Sequence, residues 1–153
     1  MTPEQEIHET AARVIESCGP LSGLGWRFGY NRESIEWLDG YIERLGDTGK
    51  FSEEKQAQNL VATFGCFLGE CIRATYGGVW REHNGAWGVF FSDSTAAFPL
   101  SKVRKQFENG AASGDSILGF YDIVPEMLSG NFERQPVPRE SWWKASLRRW
   151  FGR

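Results

Sequence analysis

Apolar positions along this chain repeat at two periods, and each change of period marks an element. Ile7, Ala11, Val14 and Ile15 fall on one helical stripe. Ahead of them, Thr2-Pro3-Glu4-Gln5 combines an N-cap, Pro at the first helical position and Gln three residues after the cap. Gly19-Pro20 is expected to end that helix. From Leu21 to Tyr30 the period becomes two, with Trp26, Phe28 and Tyr30 alternating with Gly25, Arg27 and Gly29. That alternation predicts a short strand or extended segment with its rings on one side. Asn31 then caps a second helix, with Ile35, Leu38, Ile42 and Leu45 inward and Gly46 closing it.

The longest pattern predicts a helix from Ser52 to Tyr76, capped by Ser52 with Glu53 and Glu54 on its positive end, and closed by Gly77-Gly78. Leu60, Val61, Phe64, Phe67, Leu68, Cys71 and Ile72 keep helical spacing within it. Gly65 and Gly69, four apart, leave a bare stripe where a second element can approach closely. Next come Val79 to His83 and Ala86 to Phe91, two runs flanking Asn84-Gly85, the strongest short hairpin signal. That register sets Trp80 against Val89 and Glu82 against Trp87, with Trp80, Trp87, Val89 and Phe91 on one face. Ala96 to Phe98 is a third strand, ended by Pro99; Ser101 to Asn109 and Ser116 to Ser129 are helices, and Pro125 should kink or split the second. The class is α+β: helices on a three-stranded antiparallel meander, one domain over residues 1–130.

Residues 131–153 differ in kind. Gln135-Pro-Val-Pro138 is a stiff spacer, and an amphipathic helix is expected beyond it. Trp142, Trp143, Leu147, Trp150 and Phe151 take one half of the helical circle; Lys144, Arg148 and Arg149 take the other. From Glu133 to Arg153 there are six Lys/Arg against two acids, a net +4, which leaves −7 on the remainder of a chain whose net charge is −3. The whole molecule therefore has no electrostatic reason to seek nucleic acid. The basic segment is a candidate docking surface, either for an acidic protein groove or an anionic membrane, or for the acidic body itself.

The opening residues are acidic and lack the apolar core of a signal peptide, and no apolar run approaches a membrane span. Cys18, Cys66 and Cys71 are odd in number and irregularly spaced. They read as free thiols of a reducing cytoplasm.

Candidate chemistry is sparse. Gly23, Gly25 and Gly29 superficially resemble a phosphate loop, but a helix precedes them and their spacing is wrong for the dinucleotide fingerprint. Cys66 and Cys71 lie in the C-terminal half of their helix, where the dipole disfavours a thiolate nucleophile. His8 and His83 are far apart and no Cys/His/Asp cluster accompanies them, so neither a metal nor a cofactor is expected. Glu70 is the best polar candidate. It can form a helix ion pair with Arg73, or be buried and accept an indole N–H from Trp80 or Trp87. A pocket near Glu70, Arg73, Trp80 and Lys102 is the candidate site if the domain has one.

Phe28-Gly-Tyr-Asn-Arg-Glu-Ser-Ile-Glu-Trp-Leu-Asp39 resembles the opening of a widespread, functionally uncharacterised family of small bacterial domains. Phe64-Gly-Cys-Phe-Leu-Gly-Glu-Cys-Ile-Arg73 with Tyr76-Gly-Gly-Val-Trp80 is similar to its centre. Pro99-Leu-Ser-Lys-Val-Arg-Lys105, Asn109-Gly110, Asp115-Ser-Ile117 and Phe120-Tyr121 are similar to its close. The resemblance, over about residues 28 to 129, implies a small cytoplasmic α+β domain and supplies no catalytic residues. The sequence thus favours a non-catalytic binding or interaction protein acting on another protein, with toxin-neutralising immunity proteins as one setting by size and acidity. A small-molecule site or enzyme at Glu70 is one alternative, and a peripheral membrane protein docking through residues 142–151 is another.

Overall fold

The first helix starts on a reciprocal cap. The Thr2 hydroxyl accepts the Gln5 amide N–H at 3.2 Å, while the Gln5 side chain accepts the Thr2 N–H at 2.8 Å. In the computed structural model, which describes residues 1–47 and 54–130, this helix is α1 (Pro3–Ser22). It runs through Gly19-Pro20 rather than stopping there. A proline in the last turn forfeits one backbone bond, and the left-handed cap comes only at Gly23, with φ +74°.

The expected extended segment is instead a corner. Gly25, at φ +59°, opens a 3-10 turn over Gly25–Arg27, a conformation no strand continues. The rings accordingly part company: Phe28 is buried, whereas Trp26 is 93 % exposed. The chain re-enters helix at α2 (Arg32–Asp47), where the Asn31 side chain accepts the Ser34 N–H at 2.9 Å. Ile35, Leu38 and Ile42 are buried and Leu45 half-buried, as the stripe requires, and α2 passes through Gly46 rather than closing on it.

Ser52 and Glu53, the expected cap of the long helix, lie outside the described residues. From Glu54 to Tyr76 this helix is α3, buried almost continuously from Val61 to Ile72, and α1 packs along it. Gly77 and Gly78, at φ +83° and +98°, reverse the chain into β1 (Val79–His83). Asn84 and Gly85 both hold positive φ, as the two-residue hairpin turn demands, and lead into β2 (Ala86–Phe90). Trp80 stands opposite Val89 and Glu82 opposite Trp87, the register read from sequence. β3 (Ala96–Ala97) pairs with β2, giving the order β1-β2-β3.

β2 is buried at every position, so the sheet is covered on both faces rather than one. Gly88 makes this possible, since a Cβ there would lie 2.9 Å from the Phe98 ring. Phe98 meets Phe90 edge-on, and Arg81 lies over Phe90 at 4.9 Å. Pro99 begins α4 (Pro99–Asn109), two residues before the expected start. After Ser116, whose hydroxyl accepts the Gly119 N–H, α5 (Ile117–Leu128) runs through Pro125 as a single helix.

Two carboxylates of α2 receive this second half. Asp39 accepts from the Ser116 hydroxyl at 2.7 Å, and Glu43 from the Ala111 N–H at 2.5 Å. Buried Gln106 bridges the Asp39 carbonyl and the Ile117 N–H. The expected helix with Trp142, Trp143, Lys144, Leu147, Arg148, Arg149, Trp150 and Phe151 lies outside the described residues.

The bare stripe of α3 is filled from two directions. A Cβ on Gly65 would meet Leu100 Cγ at 2.5 Å and Leu100 Cα at 2.8 Å. A Cβ on Gly69 would meet the Trp80 ring at 2.1 Å and Pro99 at 3.2 Å. Gly69→Leu should therefore destabilise by about 3 kcal/mol or more, and Gly65→Ala by about 1–3 kcal/mol, read as a fall in the denaturant midpoint. The sequence alone suggests a milder effect at Gly65. Backbone is harder to displace than a ring, so at matched substitutions Gly65 should cost at least as much as Gly69. Unchanged midpoints would refute the close approach.

Candidate functional site

Glu70 lies on α3 one residue beyond Gly69, and only 6 % of the residue is exposed. A carboxylate so placed is costly unless its oxygens are bonded. Its neighbours supply donors from three elements. Arg73, one turn further along α3, donates from Nη1 to Oε2 at 2.8 Å. Trp80, carried back by the Gly77-Gly78 reversal, donates its indole N–H to the same oxygen at 3.3 Å. His8, on α1, sets Nδ1 against Oε1. Arg73 is itself held by a bond from Nε to the Gly78 carbonyl at 3.2 Å, so the reversal fixes both the guanidinium and the indole.

Three of the four residues expected around this pocket do meet: Glu70, Arg73 and Trp80. Lys102 does not join them. Its ammonium pairs with Asp115 at 3.7 Å and lies over the Phe120 ring. His8 takes the remaining place, and sequence reading missed it. A lone histidine beside Ile7, 62 positions from Glu70, carries no local signal of that partnership. Its meaning depends on α1 packing along α3.

The electrostatics follow from these contacts. An ionised carboxylate only accepts, so His8 presents Nδ1–H to Glu70 and leaves Nε2 without a proton when the ring is neutral. Burial pushes the His8 pKa below 6.5, the Arg73 guanidinium adds to that, and Glu4 pulls the other way. The His8 side chain is 45 % exposed and lines an open surface pocket with Met1, Gln5 and Glu9. The cysteines offer no competing nucleophile: Cys18, Cys66 and Cys71 are free and buried, and burial raises all three thiol pKa values.

Among the described residues, no three His, Cys, Asp or Glu side chains form a group that could hold a metal ion, and no helix is long and apolar enough to cross a membrane. No family model matches the chain, and neither a curated protein nor a solved structure matches it. The resemblance to an uncharacterised bacterial domain family therefore rests on the sequence motifs alone.

Removing donors from Glu70 should rank by charge. Arg73→Met strands a buried carboxylate and should cost about 3 kcal/mol, the lower end for a broken buried pair because Arg73 is 30 % exposed. Trp80→Phe removes one neutral donor but keeps a ring over Gly69, and should cost about 1–2 kcal/mol. Urea titrations of both variants check the order; equal or reversed losses would mean that Glu70 does not depend on Arg73. The native thiols should also resist Ellman's reagent until the chain unfolds.

Proposed function

We propose that this chain is a small, non-catalytic, cytoplasmic binding protein that acts on another protein. The observation that carries this reading is Trp26. It stands 93 % exposed on the corner after α1, and Leu21, at the end of that helix, is 64 % exposed. A lone exposed leucine needs no explanation, but a nearly naked tryptophan is unusual, and Trp is the residue most enriched among binding hot spots. Its mounting also suits an anchor. Gly23 and Gly25 turn the chain, and the Arg27 and Phe28 amides close on the Leu24 and Gly25 carbonyls. Phe28 then roots the corner by stacking on Phe67. A ring presented on an ordered turn loses little freedom on binding.

The polar site supports the same reading. Both Glu70 oxygens already face donors, so this carboxylate is not free for acid–base work. Small size and net negative charge suit a protein that neutralises a basic partner, as immunity proteins do. Membership of the uncharacterised bacterial domain family is part of the proposal. Docking of residues 142–151 on an anionic membrane remains the reading in which the basic segment, rather than Trp26, is the contact.

Trp26→Ala in the full chain tests the anchor. Trp26 buries almost nothing, so stability should change by less than about 0.5 kcal/mol. Proteins captured specifically by the wild type from the source cell's lysate should be lost at least tenfold. Capture at undiminished yield would remove Trp26 from the interface; a large loss of stability would make it a core residue instead.

A further inference from the structure

His8 is the one member of the Glu70 cluster that reaches solvent, and its free nitrogen is unused by anything described above. We propose that His8 is a nucleophilic histidine whose Nε2 accepts an activated acyl group from a donor entering the open pocket beside Met1, Gln5 and Glu9. This stands apart from docking at Trp26 and does not rest on it.

The geometry supplies what a nucleophilic imidazole needs. Glu70 is fixed by Arg73 and Trp80, so it holds Nδ1–H in one direction and one tautomer. The lone pair then belongs to Nε2. A buried carboxylate behind the ring also stabilises the positive charge that forms when Nε2 attacks, the role of the third member in a catalytic triad. Burial and Arg73 keep the ring neutral, and only a neutral ring attacks. The titrating groups that face it are Glu4 and Glu9 on its own helix and Glu70 and Arg73 on α3; Trp80 of β1 does not titrate.

The surroundings select the electrophile. Glu4 and Glu9 are exposed and form no ion pair among the described residues, so the approach is negative. A phosphoryl dianion is repelled there, whereas an uncharged carbonyl donor is not. In the step, Nε2 attacks the carbonyl carbon and the N–C bond forms. The C–O bond to the leaving group breaks, and that group departs with its electron pair. The Nδ1 proton passes by way of Glu70 to solvent, leaving a neutral N-acyl imidazole.

Diethyl pyrocarbonate is the probe, and His83 is an internal control, being exposed and without a carboxylate partner among the described residues. Peptide mapping of the full-length protein should show His8 acylated at least threefold faster than His83, although His8 is half-buried. Its rate should be half-maximal below pH 6.5, and hydroxylamine should remove the label. Nitrogen-15 NMR should find the His8 ring as the Nδ1–H tautomer. Glu70→Gln should slow acylation roughly tenfold, the scale seen when a supporting carboxylate is lost. A folded Glu70→Gln protein that reacts as fast as wild type overturns the proposal. So does wild-type His8 reacting no faster than His83, or holding its proton on Nε2; these two tests need no variant.

Discussion

Close approach to α3 is the constraint on which the rest of this molecule depends. Gly65 and Gly69 bring the first turn of α4 and the Trp80 ring to within contact of a helix backbone. A side chain at either position would move a whole element, because packed interiors have little room to absorb even a methyl group. The hairpin, the start of α4 and the Glu70 cluster are all placed by this one stripe. Trp80 serves twice there: its ring fills the space over Gly69, and its N–H satisfies the neighbouring carboxylate.

The polar cluster inherits its precision from that packing. Glu70 would be a liability in a looser core, since unpaired buried charge costs several kcal/mol. Here its donors come from α1, α3 and β1, elements joined otherwise by apolar contacts. Such a junction is a weak source of net stability and a strong source of specificity, because only one arrangement of the three elements satisfies it. It also divides labour. Arg73 and Trp80 face inward and hold the carboxylate, while His8 spans the boundary between core and solvent.

What the sequence made legible follows the range of each interaction. The Thr2 cap, the Asn31 cap, the Asn84-Gly85 register and the glycine stripe are local signals, decided within a few residues, and the structure holds them. The failures are equally physical. Period two from Gly25 to Tyr30 looked like a strand because the glycines were read as spacers, when positive φ made them the corner. Pro20 and Pro125 looked like breaks, but a helix docked on a core tolerates the loss of a single backbone bond. Lys102 lay near the right motifs in sequence and still paired with Asp115. His8 was invisible for the opposite reason, as its partner is set by how two helices cross. Burial of β2 on both faces likewise depends on where Phe98 folds back.

The carboxylates of α2 have a consequence for how this fold opens. Amide groups in connecting segments usually exchange their hydrogens with water through small local fluctuations. The Ala111 N–H is bonded to Glu43, the Ile117 N–H to buried Gln106 and the Leu118 N–H to Asp39. None of these amides can be released by fraying of its own segment while α2 stays in place. Their exchange rates therefore report the parting of α2 from the α4–α5 half, an event of domain scale recorded at positions that look like ordinary loop.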